Sequence, residues 1–398
     1  MKLLYIATSF PEPHKGATIY TDLAEALHEA GHEITVAVSE QPRNLKQTTM
    51  NIERGFDVLR VVTGNYYDVG LLEKGLTTLK IPRKMKQGIL HHLSDREFDF
   101  ILYEAPPVTN ASLVIWAKKR FNCPSYLMLK DIFPQNAVDI GMMKKNGLIY
   151  QYFLKKETQL YNSADIIGCM SEGNRNYILK HNPFIDEDKV EIFPNTKKIT
   201  DDYRVDNYVI REKYSIPNET CVFLFGGNMG KPQYIDLLCK AIVECKDDEN
   251  IFFLFVGRGT ERYKIEQIIK KEAIKNALLV ENLPRDEYEQ MTKECNVGLI
   301  VLDPKFSIPN YPSRILSYLE YGKPVLAATD NVTDLKHLIE DNGCGEWVWS
   351  GDKDTFIDAI KSMTNRSDLN NMGKVGRSIV EKEYTVEKSV KILERHFN

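Results

Sequence analysis

Short apolar runs alternate with helix-length segments along the chain, and the alternation is played through twice. In the first half the runs fall at 3–7, 34–38, 58–62, 98–103, 125–129, 165–170 and 190–193. Apolar residues recur at helical spacing between most of them, as at Ile19, Leu23, Ala26, Leu27 and Ala30 ahead of Gly31. Strands with no polar face, separated by helical crossovers, are the pattern of a parallel sheet covered on both sides. The polar stretch 196–217 interrupts the pattern, which restarts at 221–225, 252–256, 278–281, 297–302 and 325–328. A chain of 398 residues is too long for one core. The expectation is an α/β protein of two Rossmann-like domains, 1–200 and 201–380, with a final helical segment 381–398.

Composition excludes several classes. Net charge is −4, from 52 basic and 56 acidic residues, so no global basic field points to nucleic acid. The seven cysteines are scattered without a CxxC pair, which suggests reduced thiols and a cytoplasmic setting. The opening MKLLYIA is too short an apolar run for a signal segment, and nothing approaches 18 consecutive apolar residues.

In the second half, successive strands end in polar or glycine-rich loops. Gly226, Gly227 and Gly230 in GGNMGK let a backbone approach a phosphate, and Asn228 and Lys231 stand beside them; the plainer reading is a tight turn before a helix. The spacing is neither GxxxxGK[ST] nor GxGxxG. Arg258, between Gly257 and Gly259, is a second candidate phosphate contact or a surface charge. Asn282, Leu283 and Pro284 can flank a flat base. The fourth loop leads into PNYPSRILSYLEYGKPVLAATD, 309–330. Ser313 reads as an N-cap, and Arg314 follows it where free N–H groups attract an anion. Gly322 ends the helix. Glu320 lies two turns on, roughly 10 Å away at 1.5 Å per residue. One such loop means little, but four on one sheet edge outline a nucleotide-sized cleft.

The first half offers a Gly16 loop after its first strand. Glu104 and Asp131 follow its fourth and fifth strands, where either carboxylate accepts a proton, holds a hydroxyl or merely caps a turn. Segment 64–90 carries Lys74, Lys80, Arg83, Lys84 and Lys86 among apolar residues. It reads as a surface for an anionic membrane or lipid diphosphate, or as a solvated helix pair. Two motifs are decoys. His28–His32 matches HExxH, but Gly31 stops the helix before His32 can share a face with His28. Asp352-Lys353-Asp354 is a DxD in a turn that starts a helix, where a cap is expected.

Taken together, the Gly16 loop, GHEITV, GGNMGK, VGRG and PSRILSYLEYGKPVLAATD resemble the retaining GT-B glycosyltransferases of family 4, over nearly the whole chain. The closest likeness is to the bacterial subgroup that adds amino sugars such as N-acetyl-L-fucosamine during capsule or O-antigen assembly. The resemblance implies two Rossmann-like domains facing across a cleft and a final helix crossing back onto the first. It implies a nucleotide sugar, UDP favoured, in the second domain and the acceptor in the first, with neither cofactor nor metal. It maps the family's second donor-site Glu onto Glu320, for the ribose, and its first onto Pro312. The family's phosphate-binding Arg and Lys fall at Asn228 and Gln233, leaving Lys231, Arg258 or Arg314 to supply charge. The donor set is thus Gly227, Asn228, Lys231, Arg258, Leu283, Ser313, Arg314 and Glu320, with Arg314, Glu320 and Asp131 closest to the chemistry. The acceptor set is Gly16, Glu104, Asp131, Lys80, Arg83 and Lys84. The expected acceptor is a polyprenyl-diphosphate glycan at the inner membrane face. A GT-B-shaped nucleotide-sugar epimerase and a non-catalytic nucleotide-sugar-binding subunit are the alternatives.

Overall fold

The computed structural model describes residues 1–66, 69–203, 208–281 and 283–397; Asn282 and the side chain of Lys74 lie outside the described residues. The chain divides into two compact units, Met1–Lys198 with Val386–Asn398, and Ile199–Thr385.

The first unit holds β1 (Lys2–Ala7), β2 (Glu33–Glu40), β3 (Thr49–Glu53), β4 (Phe56–Val62), β5 (Phe100–Ala105), β6 (Ser125–Leu129), β7 (Ile166–Cys169) and β8 (Val190–Ile192). They form one sheet in the order β3-β4-β2-β1-β5-β6-β7-β8. Every neighbouring pair is parallel except the β3–β4 hairpin. Leu4, Val36, Ile101 and Leu127 are fully buried, as a sheet covered on both faces requires. The helix Ile19–Glu29 starts at a reciprocal cap. Thr18 accepts the Thr21 N–H at 3.3 Å, and the Thr21 hydroxyl oxygen accepts the Thr18 N–H at 2.7 Å. The final helix Val386–Glu394 sets Val386, Val390 and Leu393 into this unit's core beside Leu23 and Leu27. Phe397 packs edge-on to His32 at 5.0 Å and to Phe100 at 5.1 Å.

The second unit is a parallel sheet of β9 (Cys221–Gly226), β10 (Ile251–Val256), β11 (Ala277–Val280), β12 (Val297–Val301), β13 (Val325–Thr329) and β14 (Gly345–Trp349). Its order is β11-β10-β9-β12-β13-β14. Each sheet has one point where the chain reverses its direction of growth, between β1 and β5 and between β9 and β12. Crevices at the strand carboxyl ends form there.

Several local expectations change. β3 and β14 are additional strands. Segment 64–90 is not a helix pair: a single helix, Leu71–His92, spans most of it. Glu104 lies inside β5 rather than after it. The helix Arg314–Glu320 is only seven residues long; Ser313 stands at its N-cap position, in a helical conformation, but its side chain makes no cap bond. No described helix is long and apolar enough to cross a membrane.

Candidate functional site

The second sheet splits at its reversal point. β9 and β12 pair only at Phe223–Val297 and Leu224–Gly298 before they diverge. The Tyr318 ring fills the gap. A Cβ on Gly298 would stand 2.2 Å from that ring, so the close approach requires glycine there. The Tyr318 hydroxyl donates to the Leu224 carbonyl at 3.0 Å and accepts the Gly226 N–H at 3.1 Å, replacing ladder bonds that the split removes.

Arg314, one helical turn before Tyr318, occupies the mouth of the split. Its guanidinium lies 4.6 Å over the Phe225 ring, and its Nη2 lies 3.5 Å from where a Gly227 Cβ would be. Arg314 is half-buried as a whole, but its Nη1 is buried and has no hydrogen-bond partner among the described residues. Burial pushes the pKa of Arg314 down, opposed by Tyr318 and Tyr288 rather than by any carboxylate. A guanidinium stays charged through such a change, and a buried cation without an anion is unfavourable. The arrangement calls for an anion at Nη1.

Two loops build the wall above it. The Gly227 N–H donates to the Val256 carbonyl at 2.8 Å, and the Met229 N–H donates to the Arg258 carbonyl at 2.7 Å. Gly257, at φ 139°, has room for no Cβ, because one would lie 2.0 Å from the Gly227 oxygen. Loop therefore rests on loop, backbone against backbone. Gly227, Asn228 and Lys231 are exposed at the rim. The Asn228 amide donates to Gln233 Oε1 at 3.1 Å, so these two positions form a neutral pair. Arg258 is exposed, with its Nε 3.9 Å from Glu281. Leu283 is half-buried and Ser313 is exposed.

Glu320 does not join this group. Only 1% of it is exposed. Oε1 accepts the Thr200 N–H at 2.9 Å, and its carbonyl accepts from Arg377 at 2.7 Å. Through these bonds Glu320 ties the helix Arg314–Glu320 to Thr200 at the start of the second unit.

In the first unit, Glu104 is likewise closed, at 3% exposure. Its oxygens accept the Thr8 N–H at 2.8 Å and the Tyr5 hydroxyl at 3.3 Å. It fixes the loop after β1 rather than presenting a free carboxylate. Burial raises its pKa to about 7. Lys130, at the end of β6, is pushed down to about 7 by the same cause, opposed by the charge of Glu104. Asp131 next to it is different. Oδ2 accepts from the Asn136 amide at 2.6 Å, and Oδ1 is buried with no side-chain or backbone hydrogen bond of good geometry among the described residues. Burial raises the Asp131 pKa to about 6. The Gly16 carbonyl accepts from Arg54 at 2.5 Å, which holds that loop. Lys80, Arg83 and Lys84 are exposed on the helix Leu71–His92.

The decoys resolve locally. His28 packs on Phe56 at 5.6 Å, while His32 leaves the helix for Phe397 and Glu394, so the two rings do not converge. Asp352 caps the helix Lys353–Thr364 through the Asp354 and Thr355 N–H groups.

Sequence reading missed Tyr318, Tyr288 and Lys130. The signal for Tyr318 was its i+4 spacing from Arg314, together with a glycine inside β12. Tyr288 stands against Gly226, where a Cβ would lie 2.0 Å from its hydroxyl; nothing local marks it.

The family description "Glycosyltransferase Family 4" matches residues 16–196, and "Glycosyl transferases group 1" matches residues 206–378. The probable glycosyltransferase WbjE of Pseudomonas aeruginosa is 24% identical over 279 residues, 65% of this chain; the chain spans 64% of that protein's length. Among solved structures, sucrose-phosphate synthase from Thermosynechococcus elongatus superposes with a TM-score of 0.78 at 15% identity, over 100% of this chain and 98% of that one. Anabaena HepE in complex with UDP superposes with a TM-score of 0.69 at 14% identity, over 100% and 99%.

Proposed function

We propose, for a chain that belongs to the family 4 glycosyltransferases of GT-B fold through both its units, that it moves a sugar from a nucleoside-diphosphate donor to a lipid-linked glycan. The donor is a UDP-sugar, in keeping with the UDP bound by HepE, and the sugar is an N-acetylated amino sugar. The observation that carries the reading is the buried Arg314 Nη1, without a hydrogen-bond partner among the described residues, on a guanidinium that lies over Phe225 and next to Gly227 at the reversal point of the second sheet.

As the bond between the anomeric carbon and the phosphate oxygen breaks, negative charge grows on the leaving diphosphate. A fixed guanidinium at that place stabilises it more than it stabilises the ground state. Lys231 and Arg258, both exposed at the rim, add a screened contribution. Asp131 Oδ1 orients the acceptor hydroxyl and takes its proton late in transfer. The configuration at the anomeric carbon is retained, and no metal is needed. Lys80, Arg83 and Lys84 face the anionic inner surface of the membrane that carries the polyprenyl-diphosphate acceptor.

Arg314→Met tests the core of this. A charge-assisted hydrogen bond contributes about 1.5–3 kcal/mol, so UDP affinity by calorimetry should fall about tenfold or more, with transfer falling further. Transfer is followed with a panel of UDP-sugars and membrane-extracted acceptor, and NMR of the product reads the anomeric configuration. Unchanged UDP affinity in the variant removes the diphosphate role. Donor converted to a new nucleotide sugar without acceptor replaces the transferase by an epimerase.

A further inference from the structure

The strongest unexplained surface lies in the first unit, on the turn and first helical turns of segment 141–156. Leu148 is 91% exposed, Ile149 66%, Met142 60% and Tyr152 41%. Leu148, Ile149 and Tyr152 lie in the first turns of the helix Leu148–Ser163, and Met142 lies on the turn that precedes it. Four lysines, Lys144, Lys145, Lys155 and Lys156, interleave with them, and the sixteen residues from 141 to 156 contain no Asp or Glu. Scattered single apolar residues on a surface need no explanation, but a cluster this exposed does. The charge pattern selects the occupant. Another protein face would match apolar area with mixed charge, whereas exposed apolar tips interspersed with lysines match an anionic headgroup layer over hydrocarbon.

The position in the fold agrees. Helices Leu71–His92 and Leu148–Ser163 both pack against Ala111–Phe121, so the three lie in one layer. All three return from the carboxyl ends of parallel strands, so their N-termini share that edge of the sheet with Glu104 and Asp131. Leu76, at 59%, and Leu79, at 48%, are exposed near the start of the first of these helices, beside Lys80 and Arg83. Phe153 packs edge-on to Phe133 at 5.0 Å, joining the 141–156 segment directly to the loop that carries Asp131.

We infer that Met142, Leu148, Ile149 and Tyr152 form a wedge that inserts into an anionic lipid surface, with Lys144 and Lys145 holding the headgroups. The wedge gives the lipid-linked acceptor reading above a means of delivery and rests on that reading for its purpose, but not for its chemistry. Seated in the interface, it brings the edge that carries Asp131 to headgroup depth, where a diphosphate-linked glycan begins.

The test is cosedimentation of the full chain with vesicles of phosphatidylglycerol and phosphatidylethanolamine, and with phosphatidylcholine alone. Wild type should bind the anionic vesicles. Leu148→Ser with Ile149→Ser should lower that affinity about tenfold or more, and Lys144→Gln with Lys145→Gln should lower it comparably. UDP affinity should stay unchanged in both, which separates failure of the wedge from failure of the donor site. In a second measurement, Leu148→Trp emission should be quenched by brominated lipid, which reports insertion even where the double variant folds poorly. Three results overturn the inference: no wild-type binding to anionic vesicles, equal binding by the serine variant, or a wild-type dimer that the serine substitutions dissociate while vesicle binding persists.

Discussion

Asp131 holds a carboxylate with one oxygen tied to Asn136 and the other buried without a hydrogen-bond partner among the described residues. Burial lifts its pKa from the ordinary 3.8 to about 6. The folded state therefore holds that proton more tightly than the unfolded chain does. Between about pH 4 and 6 stability falls as pH rises, and the full penalty is present above pH 6. A rise of that size corresponds to at most ~3 kcal/mol. Asp131→Asn keeps the bond from Asn136 and removes the penalty. It should raise the melting temperature at pH 8, change it little at pH 4, and lower transfer about a hundredfold or more. The wild-type rate should fall as pH drops through about 6, when the carboxyl becomes protonated. A variant that transfers at the wild-type rate would remove Asp131 from the chemistry. Arg314 shows what sequence conceals at this scale. Its place at a helix N-terminus suggested an anion, but its position over Phe225 and beside Gly227 comes from packing across nearly ninety residues of chain.

Among elements, the two glycine loops carry the sharpest consequence. Gly257→Ala would drive a Cβ to 2.0 Å from the Gly227 oxygen at a φ of 139°. The loops must part, at a cost of about 3 kcal/mol or more, and UDP affinity should fall with them. Calorimetry alongside thermal unfolding measures both, and an unchanged affinity would detach the 226–230 loop from the ligand. Glu320→Ala should behave in the opposite way. It leaves the Thr200 N–H without its acceptor and destabilises by about 1–3 kcal/mol, with UDP affinity nearly unchanged; a collapse of affinity in a folded variant would return Glu320 to the ribose. Elements were also where sequence reading went furthest. Twelve strands were visible as apolar runs because parallel strands buried on both faces have no polar positions to blur them. β3, TMNIE, escaped because it is an antiparallel edge strand with every residue at least partly exposed. The burial of Glu320 was not legible because helix periodicity assigns a face without saying what covers it, and its hydrogen-bond partner is Thr200, 120 residues away.

On the scale of the molecule, the first unit is discontinuous: its core is completed by Val386, Val390 and Leu393 from the far end of the chain. Leu393→Ala should cost about 2–5 kcal/mol, and the loss should be local. Limited proteolysis of that variant should cut within the first unit while a fragment near Ile199–Thr385 survives; simultaneous digestion of both units would mean that they unfold as one. The same discontinuity bears on synthesis. A ribosome making this chain at about 5–20 residues per second finishes the sheet of the first unit, then spends about 10–40 s on Ile199–Thr385 before the closing helix emerges. During that interval the nascent chain displays the groove around Leu23 and Leu27, a ready target for chaperones and for other nascent copies. Full-length yield should therefore track holdase supply, whatever the equilibrium stability of the finished protein.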